Sequence, residues 1–159
     1  MGTYLFKYLA LCFVCQRADC SGPVYVPLCV VCLAGLSYNN AMAEQCIFCA
    51  IAADEAQADV VYENDETVFF HDIRPKMPVH IVGITRRHIS SLATAMLADL
   101  PYVGALLAAV PAAAREAGLA AHGFRVVSNA GGHAGQEVPH LHVHVLGGGR
   151  LGPMVCREA

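Results

Sequence analysis

Charge is scarce in this chain, and positive charge is thinly spread. Only 14 % of its 159 residues are charged, and 10 Lys and Arg against 13 Asp and Glu leave a net charge of -3. The basic residues are scattered, so there is no electrostatic footprint for a nucleic-acid backbone. Long apolar runs are missing as well. The two greasiest stretches, YLFKYLALCFVC and PVYVPLCVVCLAGL, are each shorter than the roughly 18 to 20 residues that a spanning helix needs, and Pro23 and Pro27 break the second. Neither a nucleic-acid partner nor a membrane span is expected. Internal repeats and low-complexity segments are absent too. The mean hydropathy of +0.47 is high for a soluble domain, but the excess sits largely in residues 1–36. What remains reads as one domain with a core of its own.

Cysteine, by contrast, is plentiful. The eight cysteines fall as CFVC at 12–15, CVVC at 29–32 and CIFC at 46–49, with Cys20 and Cys156 alone. Paired Cys-x-x-Cys units have metal or redox spacing rather than that of a secreted disulfide framework. The first two pairs lie in apolar context, without the turn residues and charged flanks of a zinc ribbon, and read as incidental. Residues 1–43 end in Ala41-Met42-Ala43, a small-x-small pattern compatible with a signal-peptidase site. Against a signal peptide stand the segment's length, its prolines and cysteines, and a basic region of only Lys7 and Arg17. The preferred reading is an N-terminal extension outside the fold, with the domain spanning 44–159.

Cys46 to Ala56 is compatible with a short helix that places Ile47, Phe48 and Ile51 at helical spacing. Val60–Tyr62 and Thr67–His71 flank the polar turn Glu63-Asn64-Asp65 and predict a hairpin, and Val79–Thr85 predicts another strand, with His80 near its start. Alanine and leucine make Ile89 to Leu119 a helix. Ser90, Ser91, Thr94 and Asp99 are its candidate N-terminal caps, Pro101 suits a first turn, Pro111 should kink or split it, and Gly118 or Gly123 should end it. Phe124–Asn129 and Val138–Leu146 read as strands around a glycine-rich loop at 130–135. The pattern predicts an α+β fold with the long helix on one face of the sheet.

The stretch HLHVHVLGG at 140–148 carries the chemistry. In a strand, His140, His142 and His144 share one face at ~7 Å spacing while Leu141, Val143 and Val145 share the other. Imidazole is the side chain best suited to nucleophilic, acid-base or metal work near neutral pH. A metal-binding strand without catalysis fits the same pattern.

The longer segment GQEVPHLHVHVLGGGRLGPM resembles the signature of the histidine triad (HIT) hydrolases, in which histidine alternates with a hydrophobic residue after a Gly-Gln pair. Its continuation looks like the Hint branch, bacterial members especially, rather than the fragile-histidine-triad branch of dinucleoside polyphosphate hydrolases. The resemblance runs from about Cys46 to the C-terminus, and Met42 in MAEQCIFC is where a compact HIT chain would be expected to start. It implies a HIT-like fold: an antiparallel meander of about five strands, one long helix and a short N-terminal helix. It also implies cleavage of the P–N bond of purine nucleoside 5'-phosphoramidates, giving AMP or GMP and an amine. The alternatives are dinucleoside polyphosphate hydrolysis or nucleotidyl transfer on the same fold, and a non-catalytic nucleotide- or zinc-binding interaction protein.

By the same resemblance His142 is the nucleophile, forming a nucleotidyl-histidine, with its other ring nitrogen held by a backbone carbonyl of its own strand. His144 donates to a phosphoryl oxygen or the leaving group, and His140 completes the catalytic set. Asn129 and Gln136 line the phosphate, with backbone N–H groups of the Gly135 to Val138 turn as a small anion nest. Asp72 binds the ribose hydroxyls, and Ile47, Phe48, Ile51, Phe70 and Ile73 wall the base. His80 lies behind the site, or is a core histidine. Zinc-containing relatives imply a closed, structural zinc on Cys46, Cys49, His88 and His140, and no organic cofactor. A homodimer and a cytoplasmic location are expected. Glu137 departs from the Ser or Thr of many relatives, and no serine role passes to it; near a phosphate its carboxylate must be paired, protonated or turned outward. His71, His122 and His133 have no assigned role.

Overall fold

The computed structural model describes residues 46–153, so the expectations for residues 1–43 fall outside the described residues. Within them the chain forms helix α1 (Ile47–Ala52), strands β1 (Val60–Glu63), β2 (Thr67–His71) and β3 (Val79–Thr85), helix α2 (Leu100–Glu116), and strands β4 (Arg125–Val127) and β5 (His142–Gly147). The strands make one open antiparallel sheet in the order β1-β2-β3-β5-β4. This is the α+β architecture that the sequence implied, five strands with one long helix. The last strand is inserted between β3 and β4, which sets the histidine run near the middle of the sheet.

Alternation along each strand sends the two faces to different partners. Phe69, Ile81, Val143 and Val145 pack with Leu106, Val110, Ala113 and Ala114 of α2. Val68, Phe70, Val82 and Ile84 point the other way and pack with Ile51 and Ala52 of α1. Antiparallel register places His144 opposite Val82 and His142 opposite Ile84. Residues directly opposite share a face, so both rings lie on the α1 side and not among the hydrocarbon under α2.

The hairpin turns on Asn64, whose side-chain oxygen accepts from the N–H of Glu66 at 2.9 Å and of Thr67 at 2.8 Å. Arg86, just after β3, donates to the Ala52 carbonyl at the end of α1 and pairs with Glu63. One side chain thus ties helix, hairpin and central strand together.

Several expected boundaries move. The first helix stops at Ala52, because Asp54 takes a positive φ of 59° and ends the run. Residues 89–96 are irregular, with the Thr94 hydroxyl donating to the Ser91 carbonyl at 3.2 Å, so Ser90, Ser91 and Thr94 do not cap the long helix. That helix begins beside Asp99, whose carboxylate accepts from the N–H of Met96 at 3.0 Å, with Pro101 in the first turn. Pro111 neither splits nor ends it. The ring sits on the solvent side, where water can serve the Leu107 carbonyl that loses its donor. Gly118, with φ of +74°, ends the helix as expected: its N–H bonds to Arg115 and that of Leu119 to Ala114, the Schellman pattern. The histidine strand starts at His142 rather than Val138, since Leu141 donates to the carbonyl of Ile89 outside the sheet ladder.

Gly83 lies opposite Phe69 on the α2 face, and a Cβ there would come within 2.2 Å of the Phe69 ring. Gly83→Ala should therefore destabilise the domain by about 1–3 kcal/mol through overpacking. Urea unfolding of the variant measures this, and Phe69→Leu in the same chain should recover part of the loss.

Candidate functional site

His142 opens β5 with its ring against the edge of Phe48, the centroids 5.4 Å apart. Its Nδ1 lies 2.6 Å from the carbonyl oxygen of His140. A carbonyl only accepts, so Nδ1 carries the proton and Nε2 keeps its lone pair. The hydroxyl of Ser128 donates to the backbone carbonyl of His142 at 2.8 Å and anchors the strand's first residue. His142 is 5 % exposed, and the less buried His144 stands beside it with ring centroids 5.0 Å apart.

His144 belongs to a second chain of contacts. The backbone N–H of Lys76 donates to Nδ1 of His80 at 3.2 Å, which leaves the His80 proton on Nε2. That atom is 2.9 Å from His144 Nδ1 and 3.3 Å from the Asp72 carboxylate. The His80 proton therefore goes to His144 Nδ1, and His144 presents its own Nε2–H outward. Burial, then the neighbouring His142 and His80, push the His144 pKa below the ordinary histidine range, and burial does the same for His80. At neutral pH the Asp72–His80 contact is thus a close approach of a carboxylate to a neutral ring rather than an ion pair. Asp72 keeps its other oxygen on the backbone N–H of Arg74 at 2.7 Å.

The thiols of Cys46 and Cys49 meet His88 and His140 on the other side of Phe48. Cys49 Sγ is 3.2 Å from His88 Nδ1, and Nδ1 of His140 is 3.5 Å from both sulfurs. All four ligand atoms lie within 4.8 Å of one another. A tetrahedral zinc bound at ~2.3 Å to sulfur and ~2.0–2.1 Å to nitrogen implies sulfur–nitrogen edges of ~3.5 Å. His140 also donates from Nε2–H to the Thr85 carbonyl at 2.8 Å, the outer hydrogen bond that a metal-ligating histidine makes. The donor set fits such an ion. Burial and the charge of Cys46 push the Cys49 thiol up to about 12, so thiolates here need a cation between them. His88 Nε2 is buried without a partner. The Asp72–His80–His144 group passes the same distance test but not the chemical one. The second nitrogen of His80 already accepts from Lys76, where a metal-bound ring would carry a proton.

The other predicted residues divide. Phe48 packs edge-on against Phe70 at 5.7 Å, beside His142. Ile51 is buried in the core, Ile47 is half exposed, and Ile73 is 92 % exposed. Gln136 is engaged by its own loop: its oxygen accepts from Gly131 at 2.9 Å, and its nitrogen donates to Ser90 at 2.7 Å and Val138 at 2.9 Å. It shapes the turn before Val138 rather than offering a free amide to phosphate. Asn129 is half buried at the end of the β4 side. Glu137 pairs with Arg74 at 3.0 Å in solvent, so its carboxylate does not stand unpaired beside the site. Sequence reasoning had no signal for Arg74 or for the carbonyl of Thr85, whereas the backbone carbonyl that the resemblance implied behind His142 is that of His140. Ser128 carried only a faint one, lying in the strand expected beside the histidines.

The HIT domain family model matches residues 53–151. The chain is 36 % identical over 117 residues to the purine nucleoside phosphoramidase of Escherichia coli (strain K12), covering 74 % of this chain and 98 % of that protein. It is 44 % identical over 104 residues to protein HitA of Neisseria gonorrhoeae, covering 65 % of this chain and 96 % of that one. Among solved structures, the HIT family hydrolase of Legionella pneumophila Philadelphia 1 superposes with a TM-score of 0.64 at 37 % identity, covering 67 % of this chain and 95 % of that chain.

Burial pushes the His140 pKa down to about 4, so the ring is neutral in the fold. An unfolded histidine titrates near ~6.5, and below that pH the unfolded chain binds a proton the folded one refuses. Stability should therefore be full above about 6.5 and fall towards about 4, by about 2 kcal/mol at pH 5 from His140 alone. Urea midpoints of chelator-treated protein at pH 7.5 and pH 5 measure it; equal midpoints would contradict the assignment.

Proposed function

This chain belongs to the HIT domain family, and on that premise we propose that it hydrolyses purine nucleoside 5'-phosphoramidates, splitting the P–N bond to give a nucleoside monophosphate and an amine. The observation that carries this reading is the 2.6 Å hydrogen bond from His142 Nδ1–H to the His140 carbonyl, which leaves Nε2 unprotonated. Only an unprotonated nitrogen can attack phosphorus. A bond forms between Nε2 and the α-phosphorus as the P–N bond breaks, and the amine leaves with one proton drawn from the medium. Water then attacks the nucleotidyl-histidine, returns a proton to the medium and frees His142. The carbonyl of His140 faces the positive charge that builds on the ring during the first step. The Nε2–H of His144 donates to the phosphoryl oxygens and leaving nitrogen as charge shifts there. Asp72 takes the vicinal ribose hydroxyls, and Phe48 with Phe70 lies against the base.

The Cys46, Cys49, His88 and His140 cluster holds a structural zinc in this reading, supported by the tetrahedral spacing of its ligand atoms. The metal would tie α1 to the turn before β5 and supplies no reacting group. We also place the protein as a homodimer in the cytoplasm, where Cys-x-x-Cys thiols stay reduced. Leu100 and Leu107 on α2, Met96 and Leu97 before it, and Val126 on the edge strand β4 leave apolar surface in solvent for a second copy.

His142→Ala should lower kcat/KM for an adenosine 5'-phosphoramidate by at least ~10³-fold. Intact mass after rapid quench should show a nucleotidyl adduct on the wild type and none on the variant. Faster turnover of diadenosine polyphosphates than of phosphoramidates would reassign the substrate. Retention of most activity by the variant would remove His142 from the chemistry. Native mass spectrometry should show a dimer with one zinc per chain, and a monomer without metal would contradict both statements.

A further inference from the structure

His140 belongs to two constellations at once. Its ring nitrogen faces the two sulfurs at 3.5 Å, while its carbonyl oxygen accepts the Nδ1–H of His142 at 2.6 Å. The peptide that carries this carbonyl continues into the N–H of Leu141, which donates to the carbonyl of Ile89. Ile89 directly follows His88, the other imidazole of the cluster. The His140–Leu141 peptide is therefore gripped from both sides by the same group, through the His140 ring and through the backbone next to His88. The N–H of His140 bonds to Val138 at 2.8 Å, and its Nε2–H to Thr85 at 2.8 Å. A peptide plane held this way has one orientation available to it.

We propose that the Cys46, Cys49, His88 and His140 cluster, closed around a divalent cation such as zinc, is a positioning device for the nucleophile: it orients the His140–Leu141 peptide and thereby fixes which nitrogen of His142 carries the proton. The inference rests on the reading of His142 as the nucleophile and extends it to residues that never touch substrate. The two neutral tautomers of an imidazole differ little in free energy, so the acceptor at Nδ1 decides between them. If the carbonyl turns away, the proton is free to sit on Nε2, and that nitrogen then has no lone pair with which to attack phosphorus. Cys46, Cys49 and His88 act only through His140. Their loss should slow the chemical step more than it weakens substrate binding, because Asp72, His80, His144 and Phe70 make none of the cluster's contacts and only Phe48, edge-on to His140 at 5.9 Å, links the cluster to the base.

The test uses the full chain with 15N-labelled histidine, as purified with metal, after chelation, and after zinc is restored. In the loaded protein the His142 ring should appear as a single tautomer protonated at Nδ1. Chelation should convert it to a mixture and lower kcat for an adenosine 5'-phosphoramidate by about 10–100-fold, the size of effect that supporting shells of metal sites give, with a smaller change in KM. Added zinc should restore both. Cys49→Ser should reproduce the chelated state, and should that variant not fold, chelation of the wild type makes the same comparison. An unchanged His142 ring after complete metal removal, a loss confined to KM, or a protein that binds no divalent cation would each overturn the proposal. Absence of phosphoramidate turnover would instead count against the proposed reaction, with the ring spectra still deciding this inference.

Discussion

The chemistry available to this protein depends on one hydrogen bond that spans two residues, from the His142 ring to the His140 carbonyl. The bond exists because β5 begins late. Had residues 138–141 joined the sheet, the carbonyl of His140 would point sideways into a neighbouring strand, as every ladder carbonyl does. Instead the chain turns at Val138 to His140, Leu141 is fixed to Ile89, and the carbonyl is left for the ring beyond it. A break in regular pairing is thus what gives the middle histidine a defined proton.

The rest of the fold keeps that break in place and keeps hydrocarbon on one side of it. Val143 and Val145 are all but fully buried under α2 and alternate with His142 and His144, which face α1. A slip of one residue in the β3–β5 register would put the imidazoles into the core and the valines at the site, so burial of the valines specifies the register. Gly83 serves the same end: its missing side chain admits the Phe69 ring, and α2 can settle close to the sheet. Stability and reactivity share strands but not faces.

The sequence made the face pattern legible because a period of two in HLHVHV leaves no other way to bury three aliphatic side chains together. The hairpin, the central strand and the end of the long helix at Gly118 were readable for similar local reasons. What escaped was set by partners distant in the chain. Pro111 looked like a break, yet the cost of a proline depends on whether the carbonyl it leaves behind faces water. Gln136 looked like a phosphate ligand, yet its amide closes a loop with Gly131 and Ser90. Glu137 looked discordant until Arg74, 63 positions earlier, was found against it.

His80 and His140 show why residue type alone could not assign the two histidine groups. Each ring lies among other potential ligands at comparable distances, and each is kept neutral by burial. They differ in the backbone atom at the remote nitrogen. At His140 that atom is a carbonyl, so the ring keeps its proton there and turns a lone pair towards the thiols. At His80 it is an N–H, so the proton is forced to the opposite side and passed towards His144. A carbonyl behind the ring leaves a lone pair in front of it, which a metal could take, and an N–H behind it makes a hydrogen-bond donor. The same rule applied to His142, with a carbonyl behind Nδ1, leaves a lone pair on Nε2, the form that the proposed nucleophile needs. His80, His140 and His142 thereby differ in proton placement through the direction of a single backbone dipole each.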